Sequence, residues 1–191
     1  VFLGKGVELS ARKGYGRIVL GSWVHLGDQC RIRAHEGSIR IGSKTVMGRD
    51  NTINAYLDIT IGDECVISDS IYMCDFDHRF SDLDTPIRLQ GITKSPIRIG
   101  ANVWLGTKVS VLKGSQVGAG SVIGAHSVVR GAVAPMSVAA GIPVRVVRSR
   151  LDVGEKQFRV QRHAESVRVR TRDALNEMSG NGASGSTPDS S

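Results

Sequence analysis

The chain has 191 residues, of which 40% are hydrophobic but only 5% aromatic, and it carries a formal net charge of +7. That length and apolar fraction allow a sizeable core, and the scarcity of rings requires the core to be aliphatic. No run approaches the roughly 18 to 20 apolar residues of a membrane span and no charged-then-apolar export signal opens the chain, so a membrane span is not expected and a cytoplasmic location is.

In chain order, aliphatic residues recur at a spacing of six. They run Leu20, Leu26, Ile32, then Ile41, Met47, Ile53, then Ile61, Ile67, Met73, and finally Ile99, Leu105, Val111, Val117, Ile123, Val129. A period of six is neither the 3.6 of a helix nor the 2 of an ordinary strand. Each set opens on a related phrase: Ile18-Val-Leu20-Gly21, Ile39-Arg-Ile41-Gly42, Ile59-Thr-Ile61-Gly62 and Ile97-Arg-Ile99-Gly100. Three hexapeptides make one 18-residue unit, which predicts three short strands per coil and an all-β solenoid whose coils stack as parallel sheets.

Within each hexapeptide the fourth residue after the aliphatic is mostly small, as at Val24, Cys30, Thr45, Cys65, Val103, Ser115, Ser121 and Ser127. These positions are expected to pack beside the aliphatic near a corner, and the 23 glycines suit tight turns or close backbone approach. The three cysteines cannot all pair within the chain and form no Cys-x-x-Cys, so Cys30 and Cys65 are read as buried reduced thiols.

The offsets between units are 21 residues from Leu20 to Ile41, 20 from Ile41 to Ile61, and 38 from Ile61 to Ile99. About 20 residues beyond one coil therefore interrupt the repeat, in a protruding loop at about 74–96, and such an excursion is where function concentrates. Near its base lies His78. A free imidazole titrates close to neutral pH and can take a proton from a hydroxyl or amine. Asp75 and Asp77 are near enough in sequence for either to orient the ring or stabilise its charged form.

Residues 1–150 hold 19 Lys or Arg against 12 Asp or Glu, ending in the basic stretch Arg145, Arg148 and Arg150. There is no aromatic interleaving and no nucleic-acid motif, so nucleic acid is not expected and a phosphorylated cofactor is the smaller inference. Residues 151–178 form a second segment, where Val160, Ala164, Val167, Leu175 and Met178 fall on one face of an amphipathic C-terminal helix. Residues 179–191 are Gly-, Ser- and Asn-rich and are expected to be disordered.

The chain resembles the left-handed β-helix, hexapeptide-repeat acyltransferases, and within them the galactoside, maltose, nodulation-factor and surface-polysaccharide O-acetyltransferases. The resemblance covers about residues 18–150. It rests on Asp77-His78, Pro86-Ile87, Gln90-Gly91, the run Pro96-Ile-Arg-Ile99-Gly100-Ala-Asn102-Val-Trp104-Leu-Gly106-Thr107, then Val122-Ile-Gly124-Ala125, and Ala140-Gly141-Ile-Pro143-Val-Arg145-Val-Val-Arg148. Departures are Ile142 where many members have Asn, Lys113-Gly114-Ser115 in place of a common Pro-Gly-Val, and no evident amino-terminal helical segment shaping an acceptor site.

The resemblance implies acetyl-CoA as co-substrate, no metal, and transfer of its acetyl group to a hydroxyl of a sugar or of a polysaccharide or glycolipid precursor. An N-acetyltransferase acting on an amino sugar or small amine is the alternative. His78 matches the loop histidine that acts as general base. Gly106, Thr107, Gly124 and Ala125 match backbone contacts to the pantetheine arm, Trp104 and Pro143 flank the cofactor groove, and Arg148, Arg145 or Arg130 approach the nucleotide phosphates. Asn54 matches a polar residue facing the acceptor. The family further implies a homotrimer whose sites are completed between chains. A zinc-dependent carbonic anhydrase on a related fold would need three converging histidines, and the five here stand at least ten residues apart. A non-catalytic scaffold would predict that His78 is replaceable without consequence.

Overall fold

Most hexapeptides turn a corner by the same local device, which the computed structural model, describing residues 1–152, makes plain. The corner glycine is there for proximity: a Cβ on Gly42 would lie 2.4 Å from the carbonyl carbon of Gly62 in the next coil. Two residues on, a non-glycine takes the left-handed conformation, as at Lys44 (φ 58°), Glu64 (φ 56°) and Asn102 (φ 54°). That conformation costs a side-chain-bearing residue free energy. It is offset by register, because each of these residues donates its N–H to the coil before: Lys44 to Ser22, Glu64 to Ser43, Asn102 to Asp63. The glycines are thus mainly a matter of close approach, and the left-handed turns fall largely on polar residues.

The next residue points inward. Thr45, Ser115, Ser121 and Ser127 are fully buried, and each hydroxyl donates to a carbonyl: Thr45 to Gly62, Ser115 to Val129, Ser121 to Ala134 and Ser127 to Gly124. The small residues beside each corner therefore satisfy backbone oxygens as well as filling space. Cys30 and Cys65 are buried in the same way, with Sγ 3.1 Å from the Gly48 oxygen and 3.2 Å from the Gly100 oxygen. Burial pushes both thiols above the ordinary cysteine range, and it does the same to Cys74.

Between corners the strands stack into three parallel sheets. The first face holds Phe2–Leu3, His25–Leu26, Val46–Met47, Val66–Ile67, Trp104–Leu105, Val122–Ile123 and Ser137–Ala140. The second holds Glu8–Ala11, Arg31–Ala34, Thr52–Ala55, Tyr72–Cys74, Ser110–Val111 and Val128–Val129. The third holds Gly16–Leu20, Gly37–Ile41, Asp58–Ile61, Ile97–Ile99, Gln116–Val117 and Ala132–Val133. Register is strict. Ile41 pairs with Ile61 and Ile61 with Ile99, so the residues aligned by the six-residue period are those aligned in space. All fifteen residues of the six-residue series except Leu20 are buried, and Leu20 is half-buried.

At its far end the first face closes with Arg145–Ser149, which returns antiparallel along Ser137–Ala140. The chain divides at Arg150 and Leu151 into two units. The helix expected over 151–178 and the disorder expected over 179–191 lie, from residue 153 on, outside the described residues. Among the described residues no helix is long and apolar enough to cross a membrane.

Candidate active site

The excursion leaves the solenoid where the second face would turn into the third. It opens as an antiparallel hairpin: Phe76–His78 pairs with Ile92–Lys94, placing Phe76 opposite Lys94, Asp77 opposite Thr93 and His78 opposite Ile92. The sequence predicts only a protruding loop here, and the pairing makes its base a hairpin. Beyond the hairpin, a short 3-10 turn at Ile87–Leu89 leads to Gln90, whose side-chain amide donates to the Asp82 and Thr85 oxygens and whose carbonyl accepts from the Asp82 N–H. Asp82 in turn accepts from the Asp84 and Thr85 N–H groups. Hydrogen bonding, led by Thr85, holds its carboxyl below the usual range. Gln90 and Asp82 give the tip a defined shape although it has no core of its own.

His78 is exposed, on the same side of its strand as Phe76, whose ring it meets edge-on with centroids 6.3 Å apart. Among the described residues its imidazole has no hydrogen-bond partner. The two aspartates expected to support it do not reach it. Asp75 is fully buried, and its carboxylate accepts three backbone N–H groups of the preceding coil, from Tyr56 (2.8 Å), Leu57 (2.9 Å) and Asp58 (2.7 Å). Asp77 alternates to the other side of the hairpin strand and pairs with Lys113 at 3.4 Å. Direct orientation of the imidazole by either carboxylate is therefore not what this geometry provides.

A row of rings that sequence reasoning missed runs along this corner. His35 stacks on Tyr56 with centroids 4.8 Å apart, and Tyr56 meets Phe76 edge-on at 4.6 Å. Lys94 lies 5.4 Å from the Tyr56 centroid and pairs with Glu36. The signal was available: 35, 56 and 76 are the third residues after Ile32, Ile53 and Met73 and so share one phase of the repeat. Asn54 is half-buried and in register with Cys74, immediately before the hairpin neck.

The remaining site residues fall elsewhere on the solenoid. Gly106, Thr107, Gly124 and Ala125 sit at the corner between the first and second faces. A Cβ on Gly106 would lie 2.6 Å from the Ala125 nitrogen, and His126 donates its N–H to the Thr107 oxygen. The chain at Gly141–Val144 closes over this corner, with Val128 donating to Gly141 and Val144 donating to Val128; Pro143 lies within that stretch. Trp104 stands outward on the first face, half exposed, its indole N–H directed to the Ser68 hydroxyl at 3.2 Å. Arg148, exposed, lies on the same face opposite Val138, and Arg145 caps its neighbouring Val144 carbonyl. Arg130 sits apart from this set. It follows Val129 at the corner between the second and third faces, on the histidine's edge but two coils further on. Within one chain the glycine corner and His78 thus occupy opposite edges of the second face.

Residues 96–131 match the family described as bacterial transferase hexapeptide (six repeats). A probable acetyltransferase of Mycobacterium tuberculosis is 56% identical over 150 residues, covering 78% of this chain and 50% of that protein. WbbJ of Escherichia coli K12, by name an O-acetyl transferase of lipopolysaccharide biosynthesis, is 31% identical over 148 residues, covering 62% of this chain and 75% of that protein. Among solved structures, a galactoside acetyltransferase in complex with coenzyme A superposes with a TM-score of 0.60 at 31% identity, over 70% of this chain and 64% of that one. The chain belongs to the hexapeptide-repeat acetyltransferases. It spans half the length of its mycobacterial relative.

Proposed function

We propose that this chain transfers an acetyl group from acetyl-CoA to a hydroxyl of a sugar, or of a polysaccharide or glycolipid precursor, and that it works as a homotrimer. The observation that carries the reading is the placement of His78: exposed, on a hairpin anchored to the solenoid, and free of internal hydrogen bonds among the described residues. A base must be open to its substrate, and a thioester is already activated, so deprotonating and positioning the acceptor is the main task left to the protein. His78 takes the acceptor proton as the oxygen attacks the thioester carbonyl. The tetrahedral adduct then collapses to the acetyl ester and the CoA thiolate, which is protonated by the imidazolium.

The glycine corner at Gly106, Thr107, Gly124 and Ala125, with Trp104 and Pro143 alongside and Arg145 and Arg148 beyond, would hold the cofactor. Arg130, set on the other edge, would face the cofactor held at the neighbouring chain's corner. The separation of the glycine corner from His78 across one face favours a site shared between chains, with one protomer's hairpin beside another's corner, and closed threefold symmetry provides three such sites. Asn54, beside the hairpin neck, is the acceptor contact in this reading.

The test is CoA thiol release from acetyl-CoA across a panel of sugars, nucleotide sugars and amines, run beside His78→Ala. Hydroxyl acceptors should be turned over and the variant should be nearly inactive. Preferential turnover of amines would overturn the O-acetyl assignment, and full turnover by the variant would overturn the base.

A further inference from the structure

The hairpin that bears His78 has no hydrophobic core, so something other than burial must hold it. Of its twenty or so residues none of the large apolar ones beyond the neck is buried: Phe80, Leu83, Ile87 and Leu89 are all exposed. An isolated two-stranded hairpin is at best marginally stable in water. Its stability must come from where it joins the coils, at the neck formed by residues 75–77 and 93–95.

Half-exposed pairs, Asp77 with Lys113 and Lys94 with Glu36, and the Phe76 ring against Tyr56 contribute there, but the one fully buried polar anchor of the neck among the described residues is a carboxylate. Asp75 faces the corner that the preceding coil makes at Tyr56, Leu57 and Asp58, and accepts all three successive N–H groups. In the two coils before, Ala34 and Ala55 stand in Asp75's near-equivalent position, so this carboxylate is particular to the coil from which the hairpin springs. The backbone oxygen of Asp75 meanwhile accepts the Ser95 N–H at 2.9 Å, closing the neck, and the Ser95 oxygen accepts the Gly114 N–H from the following coil. The side chain fixes the hairpin to the coil before, the main chain fixes strand to strand, and Ser95 fixes both to the coil after. Charge-assisted hydrogen bonds to backbone N–H groups are about twice as strong as neutral ones, and a buried set leaves no competing water.

Resting on the reading of His78 as the base, we infer that Asp75 is a positioning residue. It sets the place of the imidazole through the hairpin backbone, three residues away, without touching the ring. Asp75→Asn keeps the shape but turns an amide NH2 toward N–H donors, so at least one of the three bonds must be lost.

The experiment is amide hydrogen exchange on the full protein, read together with acetyl-CoA thiol release in Asp75→Asn, His78→Ala and the double variant. Asp75→Asn should speed exchange at residues 56–58 and through 76–79 and 91–95 by about tenfold or more, while amides of the coils at Leu105 and Ile123 stay within about twofold. It should lower kcat with the KM for acetyl-CoA little changed, leave the midpoint of the acid limb of the pH profile where it was, and have no further effect once His78 is alanine. A shifted acid limb would make Asp75 a direct electrostatic partner of the ring and overturn the inference. Unchanged hairpin exchange, exchange raised throughout the solenoid, or loss of the folded chain would also overturn it. Failure of the base reading shows separately, as His78→Ala retaining turnover whatever the exchange result.

Discussion

His78 and Asp75 stand three residues apart and live in opposite environments, one open to solvent and one fully enclosed. His78→Ala removes an exposed ring that meets Phe76 edge-on and makes no hydrogen bond among the described residues. It should leave the thermal midpoint within a degree or two while acetyl transfer drops by about 10²- to 10⁴-fold; a large fall in melting temperature would place the ring in the fold rather than the chemistry. The cysteines behave as the opposite class of residue. With Cys30, Cys65 and Cys74 buried and their thiols pushed up by that burial, the native protein should react with an aromatic disulfide reagent at a small fraction of the rate of free cysteine. All three should titrate at once in denaturant. Rapid native labelling would mean that the coils open locally. His78 was legible in the sequence because it stood in the stretch that interrupts the repeat. The role of Asp75 was not, because a carboxylate beside a histidine reads as its partner until three N–H groups of a distant corner are seen to claim it.

At the scale of the element, the hexapeptide made the strands and corners legible almost residue by residue, because a strict spatial register converts sequence phase into position. What it concealed was the division of labour at most corners, where glycine serves close approach and a neighbour, usually polar, carries the left-handed turn. Two glycines separate these demands. Gly37 has φ 62° and a Cβ there would lie 1.8 Å from the Leu57 oxygen, whereas Gly91, at φ 78° on the hairpin, would meet nothing within 4 Å. Gly91→Ala should therefore cost only its backbone strain, about 1 kcal/mol, and Gly37→Ala about 2 kcal/mol or more, because the sheet must also move apart. Urea unfolding of the two variants measures the difference, and equal midpoints would refute it. The hairpin itself was hidden from the sequence reading because its strands are three residues each and lack alternation of apolar and polar side chains.

At the scale of the whole molecule, the separation of the glycine corner from His78 sets a requirement on assembly. If the site is shared between chains, light scattering should give three times the 20.5 kDa chain mass; a monomer that is fully active would end that account of the site. From Val46 onward the residues aligned outward down the first face, Val46, Val66, Trp104, Val122 and Val138, are apolar and in one ladder, which His25 precedes. On the third face Arg40, Asp58 and Arg98 form charged pairs instead. The first face is also the one that ends in the return strand Arg145–Ser149. A stack of parallel strands offers its last rung to any strand of like register, so a solenoid is a growing tip by construction. Turning the chain back antiparallel over Ser137–Ala140, with arginines at 145 and 148 on the outside, occupies that rung with a strand of the wrong polarity. The same short segment that would meet a nucleotide's phosphates thus occupies the rung on which the first face could otherwise extend its parallel pattern.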